Sequence, residues 1–207
     1  MVGIDSTFLS LLLHPKARPP LDPATNKPLE RAEERIEFLI EELTEDGERI
    51  LVPTPVLSEF LVLAGKDAST YLDEISARRT LLIVPFDQKA AIELAALEIA
   101  DRQKLGKRGG STQAWQKVKL DRQIVATAKA NNAKRFLTDD TGIRAFAERA
   151  GMKVTSTWEL PLPPSNTPLL DGVNEPPIDL RSGKESDETT DDPLHLKTGR
   201  KIRQEEE

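Results

Sequence analysis

Two rhythms of apolar residues alternate along the first 158 positions of this chain. One is the short apolar run bounded by charges or turn formers: residues 1–5 (MVGID), 50–54 (ILVPT), 80–86 (TLLIVPF), 134–138 (KRFLT) and 152–156 (MKVTS). Runs of this length, rich in Val, Ile and Leu, predict strands buried on both faces. The other rhythm is helical. Ile36, Leu39, Ile40 and Leu43 recur at three- and four-residue spacing through the charged stretch 29–49, and Val56, Phe60 and Leu63 do so after the second run. Further helices are predicted over 67–79, 87–103, 119–132 and 141–151, with a helix start at Ser6 and Thr7. The punctuation agrees with these bounds. Pro55 suits a first helical turn, Gly65 ends that helix, Asp87 is placed to cap the next, and the Pro-rich residues 14–28 separate the first two units. Strands alternating with helices predict an α/β fold: a three-layer α/β/α sandwich around a central parallel sheet.

Composition changes this picture at one place. The chain has 207 residues and a net charge of -6, and all of that charge falls from Glu159 onward, where 12 acids face 6 bases. The preceding body carries 23 of each and is neutral. Residues 159–207 are rich in Pro, Ser, Thr and acids and hold too little apolar surface to offset their ordering entropy. A domain at 1–158 followed by a disordered acidic tail at 159–207 is therefore expected. The acidic balance belongs to that appendage and does not argue against a polyanionic substrate. Cysteine is absent, which excludes a disulfide framework and thiolate chemistry. The first apolar run has no basic leader, and no run approaches the ~20 residues that span a bilayer, so a cytoplasmic location without membrane contact is expected.

Open parallel sheets bind ligands beyond the carboxyl ends of their strands, and acids gather at those ends here. Asp5 ends the first strand, and Asp139 and Asp140 end the fourth. Glu59 shares a helical stripe with Val56, Phe60 and Leu63; Asp121 shares one with Val125 and Ala128. Each acid alone reads as a helix cap or a solvated position. Taken together on one sheet edge they would repel unless cations lay between them. Hard divalent ions such as Mg²⁺ suit oxygen ligands, and a pair of them can activate water against a phosphodiester. On this reading Asp140 holds or supports a metal, while Asp139 either joins it or only caps the following helix.

The stretches GIDST, VPTPVLSEF, KLDRQIVATA and FLTDD, in that order over residues 1–157, resemble the PIN domain, the fold of many metal-dependent ribonucleases including VapC-type toxins. The resemblance implies that Asp5, Glu59, Asp121 and Asp140 form the catalytic, metal-holding quartet, with Thr7 and Thr138 in support. It implies Mg²⁺ or Mn²⁺ as cofactor and endonucleolytic cleavage of single-stranded RNA by a metal-activated water. A small antitoxin protein is an implied candidate partner, and a homodimer a candidate assembly. Two features depart from the pattern: the family often carries Asn where this chain has Thr7, and residues 14–46 are long for a compact toxin.

Between Asp101 and Asp121 there is no acid, while Arg102, Lys104, Lys107, Arg108, Lys117 and Lys119 occur with Gly106, Gly109, Gly110 and Trp115. Cations with one aromatic suit a single-stranded polynucleotide, so Lys104, Lys107, Arg108, Trp115, Lys117 and Lys119 are candidate RNA contacts. A solvated loop with Trp115 packed on the core is the competing reading. GKRGGST lacks the Gly-Lys-Ser/Thr order of a phosphate-binding loop, and His14 and His195 are too isolated for a triad or a zinc site. A PIN-like module without catalysis, binding RNA or a protein, is the alternative from a different functional class.

Overall fold

The computed structural model of the protein describes residues 1–14, 16–105 and 113–164. The disordered tail expected from composition falls, beyond Pro164, outside these residues. Along the chain the elements are β1 (Val2–Ile4), α1 (Ser6–Leu13), α2 (Ala32–Glu45), β2 (Ile50–Pro53), α3 (Thr54–Ala64), α4 (Ala68–Ala77), β3 (Leu81–Val84), α5 (Gln88–Leu105), α6 (Trp115–Ala130), β4 (Arg135–Leu137), α7 (Thr141–Arg149) and β5 (Lys153–Thr155). The five apolar runs are five strands, ordered β3-β2-β1-β4-β5 with every neighbouring pair parallel. Helices flank the sheet, giving the three-layer α/β/α arrangement that the alternation predicts.

The strand order has a functional consequence. From β1 the chain winds outward to β2 and β3, then returns to the other side of β1 and winds outward again through β4 and β5. Where the direction reverses, between β1 and β4, the connections leave a crevice at the carboxyl edge. Asp5 follows β1 and Asp139 and Asp140 follow β4, so both strand-end acids flank that point.

Gly3 sets how closely the layers approach. A Cβ there would lie 2.7–2.8 Å from the Phe136 ring on β4 and 2.8 Å from the Ala128 Cβ on α6, inside any tolerable contact. The missing side chain lets α6 lie directly over β1. Asp121, seven residues or about two turns before Ala128, is thereby brought over the carboxyl end of the strand that leads into Asp5.

The core forms where both rhythms predict it: Ile4, Leu51, Phe136 and Leu137 from strands meet Phe8, Ile36, Val56, Phe60 and Val125 from helices. Three features differ from expectation. Leu63, assigned to the buried stripe of α3, is 74% exposed, because that stripe narrows to Val56 and Phe60. α6 starts at Trp115 instead of 119, so the second half of the basic segment is helix. Leu160 is buried, and Arg35 on α2 donates to its carbonyl, so the folded body continues past residue 158. No helix among the described residues is long and apolar enough to cross a membrane.

Candidate active site

Asp5 is the N-cap of α1. One carboxylate oxygen, Oδ1, accepts from the Phe8 N–H at 2.8 Å, and Oδ2 accepts from the Thr138 hydroxyl. The side chain is 2% exposed. Burial, with a smaller push from the charges of Asp139 and Asp140, raises its carboxyl to about 7 against the pull of these two donors. Thr138, fully buried, also accepts from the Asp140 N–H at 3.0 Å, so its hydroxyl couples the ends of β1 and β4.

The two carboxylates after β4 have different destinations. Asp139 turns toward the C-terminal end of the domain: Oδ1 accepts from the Thr157 N–H at 2.7 Å and Oδ2 from the Thr157 hydroxyl at 2.8 Å. It does not cap α7, and each of its oxygens accepts one hydrogen bond from Thr157, 18 residues away. Asp140 is the cap. Its Oδ1 accepts from the N–H groups of Gly142 at 2.7 Å and Ile143 at 3.0 Å, leaving Oδ2 to face the crevice. There the Lys117 ammonium donates to it at 2.7 Å. Burial raises the Asp140 carboxyl, but Lys117 and the α7 amides outweigh burial and hold it below the usual range.

Asp121 completes the group. It is 7% exposed, and its Oδ2 accepts from the same Lys117 ammonium at 3.2 Å. Burial raises its carboxyl, Lys117 opposes, and the charges of Asp140 and Glu59 raise it again. Glu59 on α3 is half-buried and near enough for that charge to be felt, and its side chain makes no hydrogen bond to a described residue. Asp5, Glu59, Asp121 and Asp140 thus come from four different elements to one edge of the sheet.

They do not arrive as a finished metal cage. Among the described residues no three acids converge on a single metal position. The reason is visible in the bonding: Asp5 spends both oxygens on the fold, Asp140 spends one, and Lys117 occupies the place that Asp121 and Asp140 share. The donor set nevertheless fits Mg²⁺ or Mn²⁺, which favour oxygen ligands. Mg²⁺ is commonly held through one or two carboxylates, with water and substrate oxygens completing the shell. Asp121 and Asp140 already hold one cationic group between them.

Thr7 lies exposed in the first turn of α1 and makes no side-chain hydrogen bond to a described residue. Lys117, expected among RNA contacts on a basic loop, is instead a helical residue bound to the acids. Its position one turn before Asp121 carries a readable signal, the four-residue spacing of a helical ion pair, once α6 is known to start at Trp115. Trp115 is half-buried, with the Lys119 ammonium 5.5 Å and the Arg122 guanidinium 5.7 Å from its ring centre. Lys107, Arg108 and the side chain of Lys104 lie outside the described residues. Thr157, which donates to Asp139, and Gly3 carried no functional signal in the sequence.

A family model described as PIN domain matches residues 29–149, a span that includes Glu59, Asp121 and Asp140 and begins after Asp5. No curated protein matches the chain. Among solved structures the chain is similar to VapBC2 from Rickettsia felis bound to a DNA fragment from its promoter. That likeness has 18% identity, covers 75% of this chain and 98% of that one, and has a TM-score of 0.48. DNA-bound VapBC from Salmonella typhimurium is similar at 15% identity over 75% and 97% of the two chains, with a TM-score of 0.47.

Proposed function

The chain belongs to the PIN domain family, and from that premise we propose that it is an endoribonuclease that cleaves single-stranded RNA with Mg²⁺ or Mn²⁺. One observation carries the reading. At the reversal point of the sheet, beside the buried Asp5, two acids from separate elements hold one cation between them: the Lys117 ammonium lies 3.2 Å from Asp121 Oδ2 and 2.7 Å from Asp140 Oδ2. A structural ion pair needs one acid for one base. Two acids on one ammonium, with Asp5 and Glu59 adjoining, leave more acids than bases among the described residues.

The roles follow from the bonding. Asp121 and Asp140 would hold the ion through their Oδ2 atoms, and Glu59, unbonded among the described residues, is the acid left to receive a water or complete the ligands. Asp5, fixed by the Phe8 amide and the Thr138 hydroxyl, keeps β1 and β4 in register at the site. A bound divalent ion supplies an acidified water as nucleophile and charge for the phosphate oxygens. A small antitoxin protein as partner and a cytoplasmic location belong to the same proposal.

The test is cleavage of a fluorescent single-stranded RNA by the purified full chain with Mg²⁺, Mn²⁺ or a chelator. Cleavage is expected only with metal, and not with Asp121→Asn or Asp140→Asn. RNA binding without metal-dependent cleavage would identify a silent binding module instead.

A further inference from the structure

The contact between Lys117 and the acids has a property that an ordinary surface pair lacks. Four-residue spacing on α6 accounts for its bond to Asp121. The spacing does not account for its bond to Asp140, which crosses to the cap of α7 and is the shorter of the two, 2.7 Å against 3.2 Å. Of the two Asp140 oxygens, Oδ1 is consumed by the amides of Gly142 and Ile143. Only Oδ2 is left for any cation, and the lysine takes that one. The ammonium therefore stands on the same oxygens that a divalent ion would need. Its side chain is 46% exposed and its stem is four flexible carbons, so it can withdraw into solvent while α6 stays in place.

We propose that Lys117 is the resident counter-ion of this site, holding Asp121 and Asp140 together until a divalent ion displaces it. The inference rests on the metal-site reading above and adds to it a positioning residue whose departure is a condition of metal entry. Metal affinity is then set by competition: the ion must replace an intramolecular ammonium as well as shed water. The lysine keeps a buried and a half-buried acid, on two elements, from repelling each other while the site awaits its ion. Once displaced, it becomes a free cation at the mouth of the site, next to where a phosphate of the substrate would lie.

The experiment is Mn²⁺ binding to the full chain, followed by titration calorimetry at fixed ionic strength, with a second reading of Lys117 acetylation by an amine reagent and mass spectrometry. Removing the competitor in Lys117→Gln is expected to tighten Mn²⁺ binding about tenfold, since two partly exposed pairs no longer have to be broken. Lys117→Arg, which keeps the charge, should stay closer to the wild type than to Lys117→Gln. In the wild type, Mn²⁺ should speed acetylation of Lys117 and leave that of Lys134 unchanged. Equal or weaker Mn²⁺ binding by Lys117→Gln overturns the proposal and leaves the metal site standing, as does Lys117 acetylation that ignores Mn²⁺. Absence of Mn²⁺ binding in both wild type and Lys117→Gln overturns the metal site and this inference together. Should Lys117→Gln fail to fold, acetylation of the wild type decides alone.

Discussion

Asp121 and Arg122 are consecutive residues on α6, yet their side chains enter two different clusters of charge. Arg122, 2% exposed, lies with Arg149 among Asp101 and Glu98: Arg149 binds Asp101 through two nitrogens at 2.8 and 3.0 Å, while Arg122 lies 3.4 Å from Glu98 and 3.7 Å from Asp101. Both guanidinium groups also lie over the Phe146 ring, at 5.2 and 5.7 Å. Three cations meet two anions there, since Arg102 also binds Glu98 at 3.0 Å, and the cluster joins α5, α6 and α7. On the Asp121 side, among the described residues, Asp121 and Asp140 share one half-exposed ammonium, with Asp5 and Glu59 close by. The contrast is one of balance. A cluster whose bases answer its acids is a fastener between helices; one whose acids outnumber the described bases is where the proposed ion would be bound.

The comparison breaks if the two clusters respond alike to loss of one acid, and this is where the largest effects are expected. Asp101→Asn removes the anion shared by two guanidinium groups, and stability should fall by about 3–5 kcal/mol, as for other buried pairs stripped of one partner. Cleavage by the fraction still folded should be unaffected. Asp121→Asn should do the reverse: thermal unfolding within about 1 kcal/mol of the wild type, and cleavage at least about a hundredfold slower, the equivalent of losing a few kcal/mol of metal-assisted stabilisation. Thermal melts and RNA cleavage on the same two variants decide the matter. A destabilised Asp121→Asn with normal cleavage would make both clusters mere fasteners.

A pH series sharpens the contrast further. The Asp5 carboxyl is pushed up to about 7 in the folded chain, chiefly by burial, from an ordinary 3.8. Between those values the folded state keeps a proton that the unfolded state has released. Without divalent ions, stability is therefore greatest at the acid end of this window and is lost as pH rises through it, by at most about 1.4 kcal/mol per pH unit. Urea unfolding in chelator from pH 5 to 8 should show this decline, and Asp5→Asn should flatten it. Added Mn²⁺ should oppose the decline, because an ion that binds only the folded acids stabilises that state. A flat profile in the wild type would remove Asp5 from the set of strained acids.

How much of this was legible in the sequence depends on whether the decisive contact is local. Five apolar runs became five strands, and the acids at their ends reached the crevice, because strand direction alone sends Asp5 and Asp140 to the same edge. Partners far along the chain stayed hidden. Thr157 engages Asp139 across 18 positions and Arg149 engages Asp101 across 48, and no local pattern reports either. Lys117 was obscured for a different reason. Its helix begins at Trp115 with a first turn almost devoid of apolar periodicity, so the stretch read as loop and its cations as candidate RNA contacts. Leu63 shows the opposite error, a residue at helical spacing that stays exposed.

The Asp139–Asp140 doublet places the same contrast within two adjacent residues. Asp139→Asn weakens two hydrogen bonds to Thr157 and leaves the crevice untouched, so it should cost about 1–2 kcal/mol of stability with little change in cleavage. Asp140→Asn should retain the amide-facing oxygen of the cap and lose cleavage. Comparing melting and cleavage of the pair tests the assignment; a reversed order would mean that the crevice acid is Asp139.

The smallest expected effect concerns cations rather than acids, and it separates a paired lysine from an unpaired one on the same helix. Lys117 is committed to two carboxylates, whereas Lys119, two residues on, is exposed and makes no ion pair with a described residue. The body of the chain is neutral, so attraction for a polyanion has to be local. Each phosphate contacted by a free cation on a single strand contributes about -0.7 to the slope of log affinity against log salt. With cleavage suppressed by chelator, Lys119→Gln should flatten that slope by about 0.7. Lys117→Gln should flatten it less, since an ammonium already neutralised by Asp121 and Asp140 releases few counterions from RNA. The slopes come from fluorescence anisotropy of a labelled single strand over a salt series. An unchanged slope in Lys119→Gln would show that α6 does not touch the nucleic acid; equal flattening in both variants would show that Lys117 is already free of the acids when RNA binds.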